Sequence, residues 1–295
     1  MIDKTIRTVK TTDFSPLLAE IYHCPETFRM QGTFPVDENG DVKYLTVVGS
    51  RKYSDYGKAV CEYLITGLRG YPIVVISGLA LGMDGIALRS ALNAGLKTVA
   101  VPGSGLSDMA IHPKTNIGIR DAILNAGGCI LSEFPDDFRA TLYSFPQRNR
   151  IMAGLAHATL IIEAEIKSGT LITSKYATEY NRDVFTVPHP IFSSTSEGPH
   201  MLLRLGATPI TKPEDILDAF GFAPREGLFG GNNSLRDYSD CSEDELLVVN
   251  LLTQPLERDT IIRELGKPVH VTQAILSIME IKGLIKEELG EIRLV

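Results

Sequence analysis

The stretch YLTVVGSRKYSDYGKAVCEYLITGLRGYPIVVISGLALGMDGIAL, residues 44–88, decides the fold. It opens on a β-rich apolar run (YLTVVG, 44–49), passes through a helical pattern, meets a second such run (IVVIS, 73–77) and enters another helical pattern. The alternation continues through KTVAVP (97–102), CILSE (129–133), ATLIIEA (158–164) and DVFTVP (183–188). These runs are nearly continuous in Val, Ile and Leu, as strands must be when helices cover both faces of their sheet. Each intervening segment is long enough for a right-handed crossover. Residues 44–222 are therefore predicted to form a Rossmann-like, doubly wound, mostly parallel α/β domain.

On the amino-terminal side, residues 1–43 show no strong periodicity and carry Pro16 and Pro25, so they read as an extension packed on the main domain. On the other side, APREGLFGGNNSLRDYSDCS (223–242) has the Gly, Asn and Ser content of a linker. Three helical patterns follow, at 243–253, 258–265 and 271–283, and then two strand candidates, LIKEE and EIRLV, turning at Leu289-Gly290. Three helices and a β-hairpin predict a small winged-helix domain over 243–295.

The whole chain bounds the function classes. At 295 residues and 44% hydrophobic content it can bury one large core and a small second one. No apolar run is long enough to span a bilayer, and MIDKTIRTVKTTDF lacks the apolar stretch of a signal peptide. A cytoplasmic protein without membrane contact is expected. Cys24, Cys61, Cys129 and Cys241 are scattered and form no Cys-x-x-Cys pair, which suits reduced, buried thiols; no metal and no cofactor are expected. The net charge of −7 opposes nucleic-acid binding, because non-specific affinity comes from cations that displace counterions from phosphate. A local basic cleft can outweigh it.

In an open α/β sheet, ligands bind outside the carboxyl ends of the strands. Here those ends are Gly49-Ser50-Arg51, Ser77-Gly78-Leu79-Ala80-Leu81-Gly82-Met83-Asp84, Pro102-Gly103-Ser104-Gly105 and Lys167-Ser168-Gly169-Thr170. Small residues at such turns let backbone N–H groups approach an anion; a glycine there is also common for steric reasons alone. Four such turns together favour a phosphate-bearing ligand. The sharpest element is Phe145-Pro146-Gln147-Arg148-Asn149-Arg150. Pro146 suits the first turn of a helix, placing Arg148, Asn149 and Arg150 near its positive end, where two arginines are poor neighbours unless an anion joins them. The competing reading is a solvated face paired with Glu133 or Asp136.

Three other phosphate or acyl-transfer signatures are missing. Gly57-Lys58 is followed by Ala59 and lacks the upstream glycine of a Walker A loop. Gly103-Ser104-Gly105 lacks the third glycine of a dinucleotide fingerprint and lies on the third strand, where the first is required. There is no G-x-S-x-G elbow, and His112, His157 and His189 show no local partner for a nucleophile triad. His157 reads as a core histidine.

In order along the chain, VVGSRKYSDYG, VVISGLALGMDGIAL, TVAVPGSGL, HPKTN, GGCILSEFP, FPQRNRIMAGL, IIEAEIKSGTLITSKYA and NRDVFTVP resemble the motifs of the DprA/Smf family, and FSPLLAEIYHCPETFRMQG resembles the segment preceding its Rossmann-like domain. The resemblance implies a non-enzymatic protein that binds incoming single-stranded DNA, protects it and helps load a RecA-type recombinase during natural transformation. It implies a homodimer formed through the Rossmann-like domain. Carried over by motif, the DNA pocket comprises Gly49, Ser50, Arg51, Lys114, Arg148 and Arg150, with Asn149, Ser168, Gly169, Thr170 and Lys175 beside them. The chain departs from the family pattern at Leu88, where a histidine is usual, at His112-Pro113, usually Tyr-Pro, and at Pro188-His189, usually Pro-Gly.

The alternative is an enzyme. The glycine-rich turns and the Ser168-Gly169-Thr170 loop also resemble nucleotide phosphoribohydrolases of the cytokinin-activating (LOG) type, which act on nucleoside monophosphates. Their P-G-G-x-G-T-x-x-E run has no counterpart, since Leu171, Ile172 and Thr173 follow Thr170. Asp84 and Glu163 remain as available carboxylates, each more economically read as paired to an arginine. From Cys241 to Val295 there are ten acidic residues against six basic, so the carboxyl-terminal domain reads as a protein-contact module or a bystander in preference to a duplex reader.

Overall fold

The computed structural model describes residues 4–36, 40–223, 241–252, 255–288 and 290–294. Most of the predicted linker (223–242), the end of the 243–253 helix and Leu289 of the predicted turn lie outside them. The chain divides into two compact units at 225/226.

The first unit contains, in order, β1 (Arg7–Lys10), α1 (Pro16–Ala19), β2 (Thr27–Gly32), β3 (Lys43–Val48), α2 (Asp55–Thr66), β4 (Ile73–Ser77), α3 (Met83–Asn93) and β5 (Lys97–Ala100). It continues with α4 (Ile117–Asn125), β6 (Cys129–Ser132), α5 (Ser144–Leu155), β7 (Ala158–Ile161), α6 (Thr170–Glu179), β8 (Asp183–Thr186), α7 (Glu197–Arg204), β9 (Thr208–Pro209) and α8 (Pro213–Ala219). One nine-stranded sheet runs in the order β1-β2-β6-β5-β4-β3-β7-β8-β9. From β6 to β9 every neighbouring pair is parallel, which makes the domain Rossmann-like as its apolar runs predict. The chain winds outward from β3 through β4 and β5 to β6, then returns by α5 to lay β7 on the other side of β3. The β3/β7 border is thus the topological switch point, where the carboxyl ends open a crevice.

The amino-terminal segment does more than pack on this domain. β1 and β2 pair antiparallel, and β2 pairs antiparallel with β6 (Met30 opposite Leu131), so the segment extends the sheet itself. Alternation in β2 explains it: Phe28 and Met30 point into a core shared with Phe14, Phe34 and Leu131, while Arg29 points outward to Asp136 at 2.5–2.6 Å. A second cluster is built from Leu79, Leu88, Ile111, Ile119, Ile123 and Ile130 around α3 and α4. Leu88, where the family usually has a histidine, is simply core.

The second unit contains α9 (Glu243–Leu251), β10 (Leu256–Glu257), α10 (Arg258–Leu265), α11 (Val269–Ile281), β11 (Ile285–Glu288) and β12 (Glu291–Leu294). Its sheet is three-stranded and antiparallel, in the order β10-β12-β11. Val248, Ile261, Leu276, Met279, Ile285 and Ile292 form its own core. Ser242 and Glu245 close a capping box at the start of α9. Among the described residues, no helix is long and apolar enough to cross a membrane.

Candidate functional site

A cavity of about 440 Å³ opens at the switch point. The β3 loop contributes Gly49, Ser50, Arg51 and Lys52; the β4 loop and α3 contribute Ala80, Leu81 and Asp84; α5 contributes Phe145, Arg148 and Asn149; the segment after β7 contributes Glu165, Ser168, Gly169 and Thr170. Four separate elements therefore converge on one space.

Short polar contacts shape the rim. The Ser50 hydroxyl donates to the Lys52 carbonyl (2.8 Å) and accepts from the Lys52 N–H (3.0 Å), curling the loop after β3. Thr170 Oγ1 donates to the Gly49 carbonyl (3.1 Å), and Asn149 Nδ2 donates to the Gly169 carbonyl (3.1 Å), joining β3, α5 and α6. Gly82, at φ 81°, precedes α3; a Cβ there would lie 2.5 Å from the Arg51 carbonyl oxygen, so only glycine lets the two loops meet. Met83 N–H then donates to the Ser50 carbonyl at 3.1 Å.

The charges divide into a buried pair and an exposed pair. Arg148 is 4% exposed and donates to the Val101 carbonyl. Burial pushes its pKa down to about 10, with Asp84 opposing and Arg51 adding to the fall. Burial raises the Asp84 pKa, while Arg148 and the Ala80 N–H, 3.3 Å away, draw it back. Arg51 and Lys52 are exposed, and neither forms an ion pair among the described residues. The Arg51 guanidinium lies 4.7 Å over the Phe145 ring. The exposed His112 ring stands 6.1 Å from Phe145, and Leu142 and Tyr143 are 83% and 86% exposed on the same approach to α5. A flat anion-bearing ligand would find cations, backbone and aromatic surface within one mouth.

Of the residues read from sequence, Gly49, Ser50, Arg51, Arg148, Asn149, Ser168, Gly169 and Thr170 line this cavity; Lys114, Arg150 and Lys175 do not. Pro146 does sit in the first turn of α5, but Arg148 and Arg150 diverge, because two residues rotate about 200° around a helix. Arg150 pairs with Glu133 and donates to the His23 carbonyl at 2.8 Å, which is the carboxylate-paired alternative. Lys175 is exposed beside Glu179 (3.7 Å), and Lys114 is exposed on the short turn Lys114–Asn116. Glu163 is not paired to an arginine: buried, it accepts from Ser54 N (2.9 Å) and Ser54 Oγ (2.8 Å). Lys52 and Phe145 escaped the sequence reading, although Lys52 adjoins Arg51 and Phe145 opens the FPQRNR run. The four cysteines are free thiols, Cys61 and Cys129 fully buried, Cys24 and Cys241 half-buried.

The sequence matches the family model described as DNA recombination-mediator protein A over residues 5–221. It is 38% identical over 250 residues to Protein Smf of Escherichia coli (strain K12), covering 82% of this chain and 65% of that protein. To DNA processing protein DprA of Streptococcus pneumoniae it is 39% identical over 205 residues, 70% of each. The fold is similar to the X-ray structure of DprA from Streptococcus pneumoniae, with a TM-score of 0.66 at 35% identity over 75% of this chain and 77% of that one. It is also similar to DprA from Helicobacter pylori, a structure described for its single-stranded DNA binding mode, with a TM-score of 0.63 at 25% identity over 74% and 97% of the two chains.

Proposed function

The chain belongs to the DNA recombination-mediator protein A (DprA/Smf) family, and on that premise we propose that it binds single-stranded DNA at the switch-point cavity and passes it to a RecA-type recombinase. The observation that carries the reading is the exposed, unpaired Arg51 lying on Phe145 at the rim, with Lys52 beside it. Phosphates would meet Arg51, Lys52 and the amides around Gly49, Ser50, Ser168, Gly169 and Thr170. Lys114, two residues from His112, is the proposed outlying phosphate contact. Bases would stack on Phe145, Tyr143 or His112, which tolerates any sequence. Arg150 and Lys175 are left out because Glu133 and Glu179 already engage them.

The protein acts by binding and not by catalysis in this reading. The two carboxylates that a hydrolase would recruit are engaged: Asp84 accepts from the Ala80 N–H in the field of Arg148, and Glu163 accepts from Ser54. The second unit, with α9–β10–α10–α11–β11–β12 in winged-helix order, is proposed to contact protein, since the outward face of α11 holds Gln273, Ser277, Ile278 and Ile281 and no arginine. A cytoplasmic homodimer completes the proposal. The test compares a labelled oligo-dT with a duplex of equal length by fluorescence anisotropy. Preferential, salt-sensitive binding of the single strand is expected; no binding at low salt, together with release of base from nucleoside monophosphates, would replace it with the phosphoribohydrolase reading.

A further inference from the structure

Resting on the single-stranded DNA reading, we propose that Arg148 is a positioning residue: it ties the ends of β4 and β5 to the start of α3, and through them seats Arg51, without itself touching DNA. Arg148 belongs to α5, which follows β6, yet its guanidinium crosses to strands far from it in sequence. It donates to the carbonyl of Val101, the residue after β5. It lies against Gly78, the residue after β4, so closely that a Cβ there would stand 1.9 Å from Nη1 and 2.4 Å from Cζ. The loop after β4 is tied to α3 by Asp84, in the first turn of that helix, whose carboxylate accepts from Ala80 N–H at 3.3 Å and attracts the guanidinium without closing an ion pair with it.

The next link is backbone. The α3 start carries Gly82, on which the Arg51 main chain rests, and Met83, whose N–H holds the Ser50 carbonyl. One cation therefore sets the height of the helix end that supports the phosphate-facing loop. Asp84 also offsets Arg148 so that a second arginine can stand nearby; without that carboxylate the two like charges would repel. Little of Arg148 is left for a direct phosphate contact: the residue is 4% exposed, Nη1 is committed to the Val101 carbonyl, and Nε has no exposed surface.

The two roles separate in the salt dependence of oligo-dT binding, where each phosphate contact contributes about 0.7 to the log–log slope. The variants are Arg51→Ala, Arg148→Lys and Gly78→Ala, each alone, and Arg51→Ala combined with each of the other two, in the full-length chain. Lysine keeps the charge but lacks the planar guanidinium that both meets the Val101 carbonyl and lies against Gly78; alanine at Gly78 keeps Arg148 but pushes it aside. Melting temperatures identify which variants are folded, and either the lysine or the Gly78 variant suffices. The proposal predicts that each single change flattens the slope by about 0.7, as Arg51→Ala does, and that adding Arg51→Ala changes it no further. Additive flattening to about 1.4, or single variants that bind as the wild type does, would overturn it. Failure of the wild type to bind oligo-dT is a different result, and it removes the DNA reading itself.

Discussion

His189 stands where the DprA/Smf family usually has glycine, and the structure buries it: Nε2 lies 2.6 Å from the Ile162 carbonyl, and its ring packs edge-on against Tyr56. Burial lowers its pKa below the usual 6.5, with Glu163 opposing and His200 adding. A histidine held neutral by the fold contributes stability that is complete above its unfolded pKa and lost as pH falls through the depressed folded one. Thermal melts across pH should therefore show the wild type losing Tm below about 6.5, and His189→Gln losing less over the same window; parallel curves would remove His189 from the acid response. At this scale the sequence announces Ser50 and Arg51 plainly, because a short motif after a strand places them. It does not separate Arg148 from Arg150: the run FPQRNR is silent on helix phase, and only packing decides which arginine faces the cavity and which meets Glu133.

Ser54 is the hinge of one element. Its hydroxyl accepts from Gly57 N–H at the start of α2 and donates to the buried Glu163 carboxylate after β7. Ser54→Ala removes a helix cap and one of the two donors to a buried charge, and should cost about 2 kcal/mol in urea unfolding; a loss under about 0.5 kcal/mol would mean that water replaces the hydroxyl. The amino-terminal hairpin makes a second element-level prediction. Phe28 in β2 is 1% exposed and meets Phe14 edge-on at 5.8 Å, so Phe28→Ala should destabilise the first unit by about 3–5 kcal/mol. An extension merely resting on the domain would tolerate it. The central parallel strands were legible because burial on both faces demands continuous Val, Ile and Leu. β1, β9 and β10 were not, because they are edges, the last two only two residues long, where polar residues are allowed; nor was β2, an antiparallel strand between β1 and β6 whose Thr27, Arg29 and Gln31 interrupt the apolar run.

At the level of the molecule, a net charge of −7 and a basic mouth coexist because binding responds to local field and not to the sum. Acidity is concentrated in the second unit, so removing residues 226–295 should leave oligo-dT affinity unchanged or slightly raised; a fall of tenfold or more in anisotropy titrations would place DNA contacts there. The central claim is that a single strand lies in the β3/β7 crevice against Arg51, Lys52 and Phe145. Photocrosslinking with 5-iodouracil-substituted oligo-dT, followed by peptide mapping, tests it most directly, because the halogenated base joins the aromatic side chain it stacks on. The account predicts crosslinks at Tyr143, Phe145 or His112. Crosslinks confined to residues 241–294, or to surfaces of the first unit away from this mouth, would contradict it.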